Sequence, residues 1–469
     1  INHISNNKYK DMKRVLTVYW QYTKGIRTSA FLTILLFTAA LLFREILRPY
    51  VLRDLVDGLT THANDRDFIW HQVVLFAVMH IAAQICFRSG EFINSLFESN
   101  HMRNLRNLAF EHMTKHSLAF FANNHAGALV TRQKRFVNSA EVLFEELVGS
   151  TLSMTVQVIG VSIVMLFVSP PMVIGVLVWV GCYILNAIFM GRKRLALDYN
   201  EAEQESRVTG DFADVMGNIS ILKTFGTTKR EKNFFSGTVN KHYSALQRAL
   251  HFANTQNAMQ GIFSSIIHIG GIIAAVSLWF NNQMSTGNVI LITIYAGSLS
   301  SSLWDFGKTI RKFSRAIADA EEMVEIIDTP PSIVDAPGAL ERISLSPEQA
   351  TIDFKNVSFA YNSSAQIFNN FNLSIPAGQK VAIIGSTGAG KTTLVSLLLR
   401  VIDVQKGSIH IGPYNIKTDV TQDGFKSCIS SVSQNIDLYN RSIKDNIGYG
   451  NPNATLDEIR AAAKKAFID

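Results

Sequence analysis

Cysteine is scarce: Cys86, Cys182 and Cys428 are the three in 469 residues, and they lie far apart. That excludes a disulfide framework and a cysteine zinc site, and leaves the redox compartment open. Charge is sparse too, at 17% of residues against 47% hydrophobic. Such a chain is too apolar for a wholly soluble protein of this size and too polar to be all membrane, so a mixture is expected. The net charge of +7 comes without the interleaved basic and aromatic array of a nucleic-acid platform, so no nucleic-acid partner is expected. No short apolar stretch with a small-residue cleavage site opens the chain, and Ile1 stands where Met would, which points to a trimmed or incomplete N-terminus.

What the chain does have is long apolar runs. Six reach the ~20 residues needed to cross a bilayer core. They lie at about 29–56, 69–97, 142–168, 172–191, 258–280 and 288–310. Ser169-Pro170-Pro171 makes a tight turn between the third and fourth, and residues 281–289 make one between the fifth and sixth. Before them, Tyr9, Met12, Val15, Leu16 and Tyr19 recur at helical spacing among basic residues, as in a helix lying at a membrane interface. Segments 98–141 and 192–241 are rich in Lys and Arg, while the opposite loops have almost none. The positive-inside rule therefore puts both long loops and both termini in the cytoplasm. Stretches 98–118 and 192–222 still read as helix, so the spanning helices are expected to run on beyond the bilayer.

Residues 329–350 hold four of the ten prolines and no apolar periodicity, the composition of a linker. Beyond them the pattern turns to strands, with Ile352, Phe354, Val357 and Phe359, then VAIIG (381–385) as a buried strand, then a helix from Lys391. Between that strand and helix, Gly385-Ser386-Thr387-Gly388-Ala389-Gly390-Lys391-Thr392 fits G-x-x-x-x-G-K-[ST] in full. Its glycines let backbone N–H groups converge on phosphate oxygens at a helix N-terminus. Lys391 would neutralise the outer phosphates, the Thr392 hydroxyl would ligate Mg²⁺, and Thr393 is expected among the nucleotide-binding residues.

A phosphate loop alone does not choose among motors. Val357-Ser358-Phe359-Ala360-Tyr361, then residues 371–378 (FNLSIPAG), the loop itself, Val432-Ser433-Gln434 and finally residues 441–447 (RSIKDNI) follow in an order that resembles the nucleotide-binding domain of ATP-binding cassette (ABC) transporters. With six spans ahead of it, the whole chain resembles an ABC exporter half-transporter. The implied fold is an all-α six-helix transmembrane domain followed by a partial α/β P-loop nucleotide-binding domain. Its parts are an interfacial N-terminal helix (1–27), the six-span domain with cytoplasmic extensions (28–328), the linker (329–350) and the cassette portion (351–469).

The resemblance makes Tyr361, taken to follow an edge strand, the aromatic that stacks on adenine. It makes Gln434 the glutamine that reaches Mg²⁺ and the attacking water. ATP and Mg²⁺ are the implied cofactors. A second half-transporter is the implied partner, in a homodimer or a heterodimer, together with membrane lipid. The implied site is a multi-pass position in a bacterial plasma (inner) membrane. No signature helix, no acidic strand end and no switch histidine precedes Asp469, so by the resemblance the cassette is cut short and lacks its general base. Residues 120–132 resemble the first coupling region, with Ala128 and Phe136 where acids are usual, and residues 217–226 resemble the second, with Asp214 for a usual Glu.

Charges inside the spans are costly and mark candidate cavity positions: Arg44, Glu45, Arg48, Arg88, Glu91, Asp305 and Lys308. Pairing at i,i+3 (Glu45 with Arg48, Arg88 with Glu91, Asp305 with Lys308) is the simpler reading. The Ser298–Ser302 run either lines a path or packs helices closely. The function expected is ATP-driven export of an amphipathic or lipid-like solute by alternating access, a class that takes in small molecules, lipids and peptides. The alternative is an ATP-gated channel or a membrane regulator that binds ATP without pumping. A soluble GTPase leaves the spans unexplained.

Overall fold

Helix length is set by where the apolar runs and their capping signals stop, and here little stops them. The computed structural model describes residues 2–61, 65–361, 366–386, 388–432, 438–451 and 453–468, with backbone alone at 2–10, 119, 122 and 123. It separates into two units, Ile1–Lys115 with Asn124–Pro330, and His116–Asn123 with Pro331–Asp469.

The first unit is helical. After α1 (Asn2–Gln21), α2 (Arg27–Leu41) runs through a π-helical turn (Leu42–Leu47) into α3 (Arg48–Thr61). Then come α4 (Arg66–Thr114), the short α5 (Leu118–Asn123, part of the second unit) and α6 (Ala126–Glu146). A second π turn (Leu147–Thr151) leads into α7 (Leu152–Val168), followed by α8 (Pro170–Gly217), α9 (Ile219–Phe225), α10 (Thr228–Phe280), α11 (Thr286–Trp304) and α12 (Phe306–Asp328). Among the described residues six continuous helical segments, of 35, 49, 43, 48, 53 and 43 residues, are apolar and long enough to cross a membrane, and each contains one of the six expected runs. The overshoot beyond ~20 residues is the expected extension.

Specific contacts fix how these helices meet. At the π turn Leu42–Leu47 the Tyr295 hydroxyl donates to the Ile46 oxygen at 2.9 Å, tying α11 to this turn. The Trp179 ring N–H donates to the Phe263 oxygen at 2.9 Å, tying α8 to α10. Ser300 donates to the Ser264 hydroxyl at 2.6 Å and is buried, so this member of the serine run packs α11 on α10. The buried Glu146 carboxylate, at the end of α6, accepts from the Thr309 hydroxyl at 2.9 Å and from Lys312, both on α12.

The helix α1 packs on the other helices of the first unit. Val15 and Tyr19 are buried against the protein, and the Tyr19 hydroxyl donates to the Phe136 oxygen at 2.7 Å. Burial raises the pKa of the Tyr19 phenol. Phe136 is fully buried, its ring centroid 5.1 Å from that of Tyr19, and an acid at this position would have no water to face. Arg14 pairs with Asp328 at the end of α12.

The intramembrane charges pair differently from the expected i,i+3 pattern. Arg88 does meet Glu91 at 2.6 Å. Glu45, however, meets its neighbour Arg44 at 2.6 Å rather than Arg48, whose guanidinium lies 3.2 Å from His80 Nδ1 on α4. The π turn is the reason: its wider winding moves residues three apart off a common face. Among the described residues Asp305 and Lys308 make no ion pair, and Asp305 instead stands between α11 and α12, its backbone carbonyl accepting from the Lys308 and Thr309 N–H groups at 2.9 Å to start α12.

Asp57, at the end of α3, caps α11 from outside that helix. Its carboxylate accepts from the Ser285 hydroxyl at 2.6 Å and from the Gly287 N–H at 2.7 Å. A Cβ at Gly287 would run into the Arg53 carbonyl and stand 2.8 Å from the Asp57 carboxyl carbon. Gly287→Ala is therefore expected to cost about 1–3 kcal/mol by overpacking against backbone. A lower unfolding temperature of the intact protein, with faster proteolysis at residues 281–285, would show it.

The second unit is built on an antiparallel sheet of order β2-β1-β3-β4, with β1 (Ile352–Ala360), β2 (Gln366–Ile375), β3 (Lys406–Ile411) and β4 (Tyr414–Asn415). The apolar residues of β1 fall at 352, 354, 357 and 359, one step out of strict alternation. The structure absorbs that step as a register shift between Phe354 and Val357, with Asn356 at φ +50°, so that Phe354, Val357 and Phe359 are all buried. The helix α13 (Lys391–Leu398) packs Leu394 and Leu397 into the same core.

Two expectations change here. VAIIG is not a buried strand: residues 381–386 join no ladder among the described residues, and Ile384 is 93% exposed. An apolar strand of this kind is buried by neighbours on both sides. The antiparallel sheet described here puts none beside it. Residues 331–350, linker-like in composition, are pinned to the second unit. Leu340 bridges to Val420, and Ile343 is buried in the core. Arg400 is 1% exposed and donates to the Asp335 carboxylate at 2.9 Å and to the Val420 and Val334 carbonyls at 3.1 and 3.2 Å.

Candidate functional site

The phosphate-loop residues gather at the start of α13. Gly388 and Gly390 have φ of +86° and +89°, a conformation that side-chain-bearing residues rarely adopt. A Cβ at Gly390 would also stand 2.9 Å from Ile367 Cγ2 and 3.2 Å from Phe368 Cζ, both on β2. Gly390 precedes the first helical residue, Lys391, so the helix begins with free N–H groups on the loop side. Lys391 Nζ donates to the Gly385 and Ser386 carbonyls at 2.8 and 2.7 Å, which holds its ammonium over the loop.

Gly385, Ser386, Gly388 and Ala389 are exposed, as is Thr392. Thr393 differs, being buried, its hydroxyl 3.4 Å from the Tyr361 hydroxyl. Thr387 and Gln434, both expected in the site, lie outside the described residues.

Tyr361 is 57% exposed and sets its ring edge-on to Phe359, with centroids 5.1 Å apart at 86°. The strand it follows is not an edge. β1 lies between β2 and β3, so Tyr361 leaves the middle of the sheet toward α13. That placement brings the aromatic and the loop helix together through the Tyr361–Thr393 contact. Sequence order alone gave no sign of this pairing.

An exposed cradle of glycines at positive φ, open helix N–H groups and a lysine poised over them fits a polyphosphate. Bound, a nucleotide would supply the phosphoanhydride bond whose cleavage releases free energy, and a divalent ion would neutralise its oxygens. The residues present would do the holding: the loop N–H groups and Lys391 toward phosphate oxygens, the Thr392 hydroxyl toward the ion.

The coupling-like segments form two short helices. Just before α5, His116 stacks on Phe120 with centroids 4.2 Å apart. After α9, Gly226 takes φ +64° and ends the helix. Asp214, standing for a usual Glu, binds the Asn218 amide at 3.0 Å just before α9.

Residues 31–303 match the model of the ABC transporter transmembrane region, and residues 368–468 match the ABC transporter model. ABC transporter B family member 6 of Dictyostelium discoideum is 26% identical, over 98% of this chain and 69% of its own length. The ATP-dependent lipid A-core flippase of Desulfotalea psychrophila is 27% identical, over 89% of this chain and 72% of its own. An ATM1-type heavy metal exporter of Novosphingobium aromaticivorans is 24% identical, over 98% and 76%. The solved structure of a bacterial Atm1-family ABC exporter with ATP bound superposes with a TM-score of 0.76 at 23% identity, covering 95% of this chain and 77% of that one. Six membrane-spanning helices followed on one chain by a glycine-cradled phosphate site, matched over most of their length by these models, place the chain in the ABC transporter family, as an exporter-type half-transporter and multi-pass membrane protein.

Proposed function

We propose that this protein exports an amphipathic or lipid-like solute by alternating access, as one half of a dimer, with ATP binding and hydrolysis as the drive. The observation that carries the reading is the cradle at Gly385–Lys391 on the same chain as six helices of 35 to 53 residues. Hydrolysis in water and movement through lipid occur in different places, so the free energy must pass mechanically along rigid elements. A ligand moves such an equilibrium only by its differential affinity for the two states.

The residue roles belong to the same reading. Tyr361 stacks on the base, and Gly385, Ser386, Thr387, Gly388, Ala389 and Gly390 wrap the phosphates with Lys391. Thr392 and Gln434 hold Mg²⁺, Gln434 also orients the attacking water, and Thr393 steadies the helix start against Tyr361. The charge asymmetry of the loops supports cytoplasmic termini in a bacterial plasma membrane. Small-molecule, lipid and peptide cargoes all remain within the class. The export named for the ATM1-type heavy metal exporter supports the direction.

The test is uptake of a lipid and drug panel into inverted vesicles carrying the intact protein. ATP-stimulated, vanadate-sensitive accumulation of at least one amphipath is expected. Conductance that follows ATP binding without net accumulation against a gradient would replace this reading with a gated channel.

A further inference from the structure

Two π-helical segments occur among the described residues, and both help to wall one cavity of about 600 Å³ in the first unit. π turns are rare and cluster at functional sites. Arg44, from the first turn, and Val148 and Gly149, from the second, face this space together with residues of α2 and α4. A Cβ built at Gly149 meets nothing within 4 Å, so the wall there is open.

The polar side of the cavity carries two guanidinium groups and an imidazole beside Asn94 and Ser153, which can donate or accept. Arg44 and Arg88 both line it, and each gives one N–H to an acid on its own helix, Glu45 and Glu91, which do not line it. A guanidinium has five N–H groups, so each arginine keeps several to offer. His80 adds another. Because Arg48 can only donate, His80 Nδ1 accepts that bond at 3.2 Å, and the ring proton belongs on Nε2. Gln84 contributes its amide, and Glu145 is the one acid in the lining. The other side is apolar: Phe37 and Phe87 meet edge-on at 5.2 Å, beside Leu41. Charges of this kind inside a span are costly unless compensated, and here the compensation on the cavity side is incomplete.

We propose that this cavity binds an amphipathic organic anion, its carboxylate or phosphate group held by Arg44, Arg88 and His80 and its apolar part by Phe37, Leu41 and Phe87. The inference deepens the export reading by giving the solute a charge and a place, and it rests on that reading only in taking the anion as cargo. The anionic group can belong to a free solute or to a lipid headgroup, since both present the same oxygens.

The test uses the intact protein in nanodiscs of zwitterionic lipid, without nucleotide, and measures direct binding of decyl phosphate against decyltrimethylammonium. Saturable binding of the phosphate alone is expected. The combined Arg44→Gln and Arg88→Gln change should weaken it at least about tenfold, the size expected for lost charge-assisted hydrogen bonds. Gly149→Leu, which fills open space and removes no charge, should abolish it, and this second variant guards against misfolding of the first. Equal affinity for the two headgroups, or phosphate binding unchanged in Gly149→Leu, would overturn the proposal. Repeating the measurement in discs of anionic lipid separates the sources: displacement of the probe identifies a headgroup, and undisturbed binding identifies a free solute. Lys391→Ala should leave probe binding intact, so a failure of the transport reading and a failure of this site give different results.

Discussion

Lys391→Ala is expected to abolish ATP-driven accumulation, leaving under about 1% of the normal rate, in line with the 10²–10³-fold cost of removing one preorganised charge-stabilising donor. The lysine stands at the first turn of α13, and its ammonium is already held over the loop by the Gly385 and Ser386 carbonyls. Alanine frees two carbonyls that border water, so it should barely alter folding while removing the cation that a triphosphate needs. Paired measurements separate these effects: uptake into inverted vesicles should vanish while the unfolding temperature of the intact protein stays within a degree or two. Transport that survives the change would refute the loop as the motor. Arginine at 391 should not rescue, because a planar fork does not replace a compact point charge at this spacing.

The second large effect is expected at Arg400. This side chain is almost wholly enclosed, with Asp335, Asp403 and two backbone carbonyls around it. It also takes a φ of +50°, a conformation that costs energy in a residue with a side chain. Alanine would keep that backbone cost, open a cavity and strand the Val334 and Val420 oxygens. Asp335 is 40% exposed and can regain water, so the lower end of the range for breaking a buried pair applies, about 3 kcal/mol. Hydrogen exchange offers a local readout. The Leu340 and Thr421 amides, which bond to the Asp419 and Leu340 carbonyls across the bridge, should lose protection first. Arg400→Lys should fall between, since one ammonium cannot span both carbonyls and both carboxylates. Unchanged protection at those two amides would show that the guanidinium does not hold residues 334–345.

Much of the architecture was legible because long apolar runs and a full phosphate-loop motif are local signals. Six runs became six helical segments, and the glycines at 388 and 390 took the backbone conformation that only their lack of a side chain permits readily. What escaped was set by contacts distant in sequence. No local pattern shows that Arg48 turns to His80, 32 residues away. A π turn changes the face of a helix without changing its composition. The linker-like stretch reads as loose from its prolines, yet Arg400, a lone cation in the apolar run LLLRVI, fastens it. That solitary charge among aliphatics was the available clue. VAIIG misled for the converse reason: its residues favour a buried strand, but a strand is made by its neighbours.

Stiffness has a kinematic consequence. A straight helix rises 1.5 Å per residue, so the 53 residues of α10 make a shaft about 80 Å long. Pivoting it by about 5° about Phe263 sweeps the Thr228 end, about 53 Å away, through about 5 Å, close to one helical turn. Angular changes too small to disturb the side-chain contacts near the fulcrum thus become displacements of several ångström at the far end. Gearing of this sort favours a protein whose fulcrum is tightly packed, and Trp179, Tyr183 and Phe263, bound ring to ring between α8 and α10, supply one.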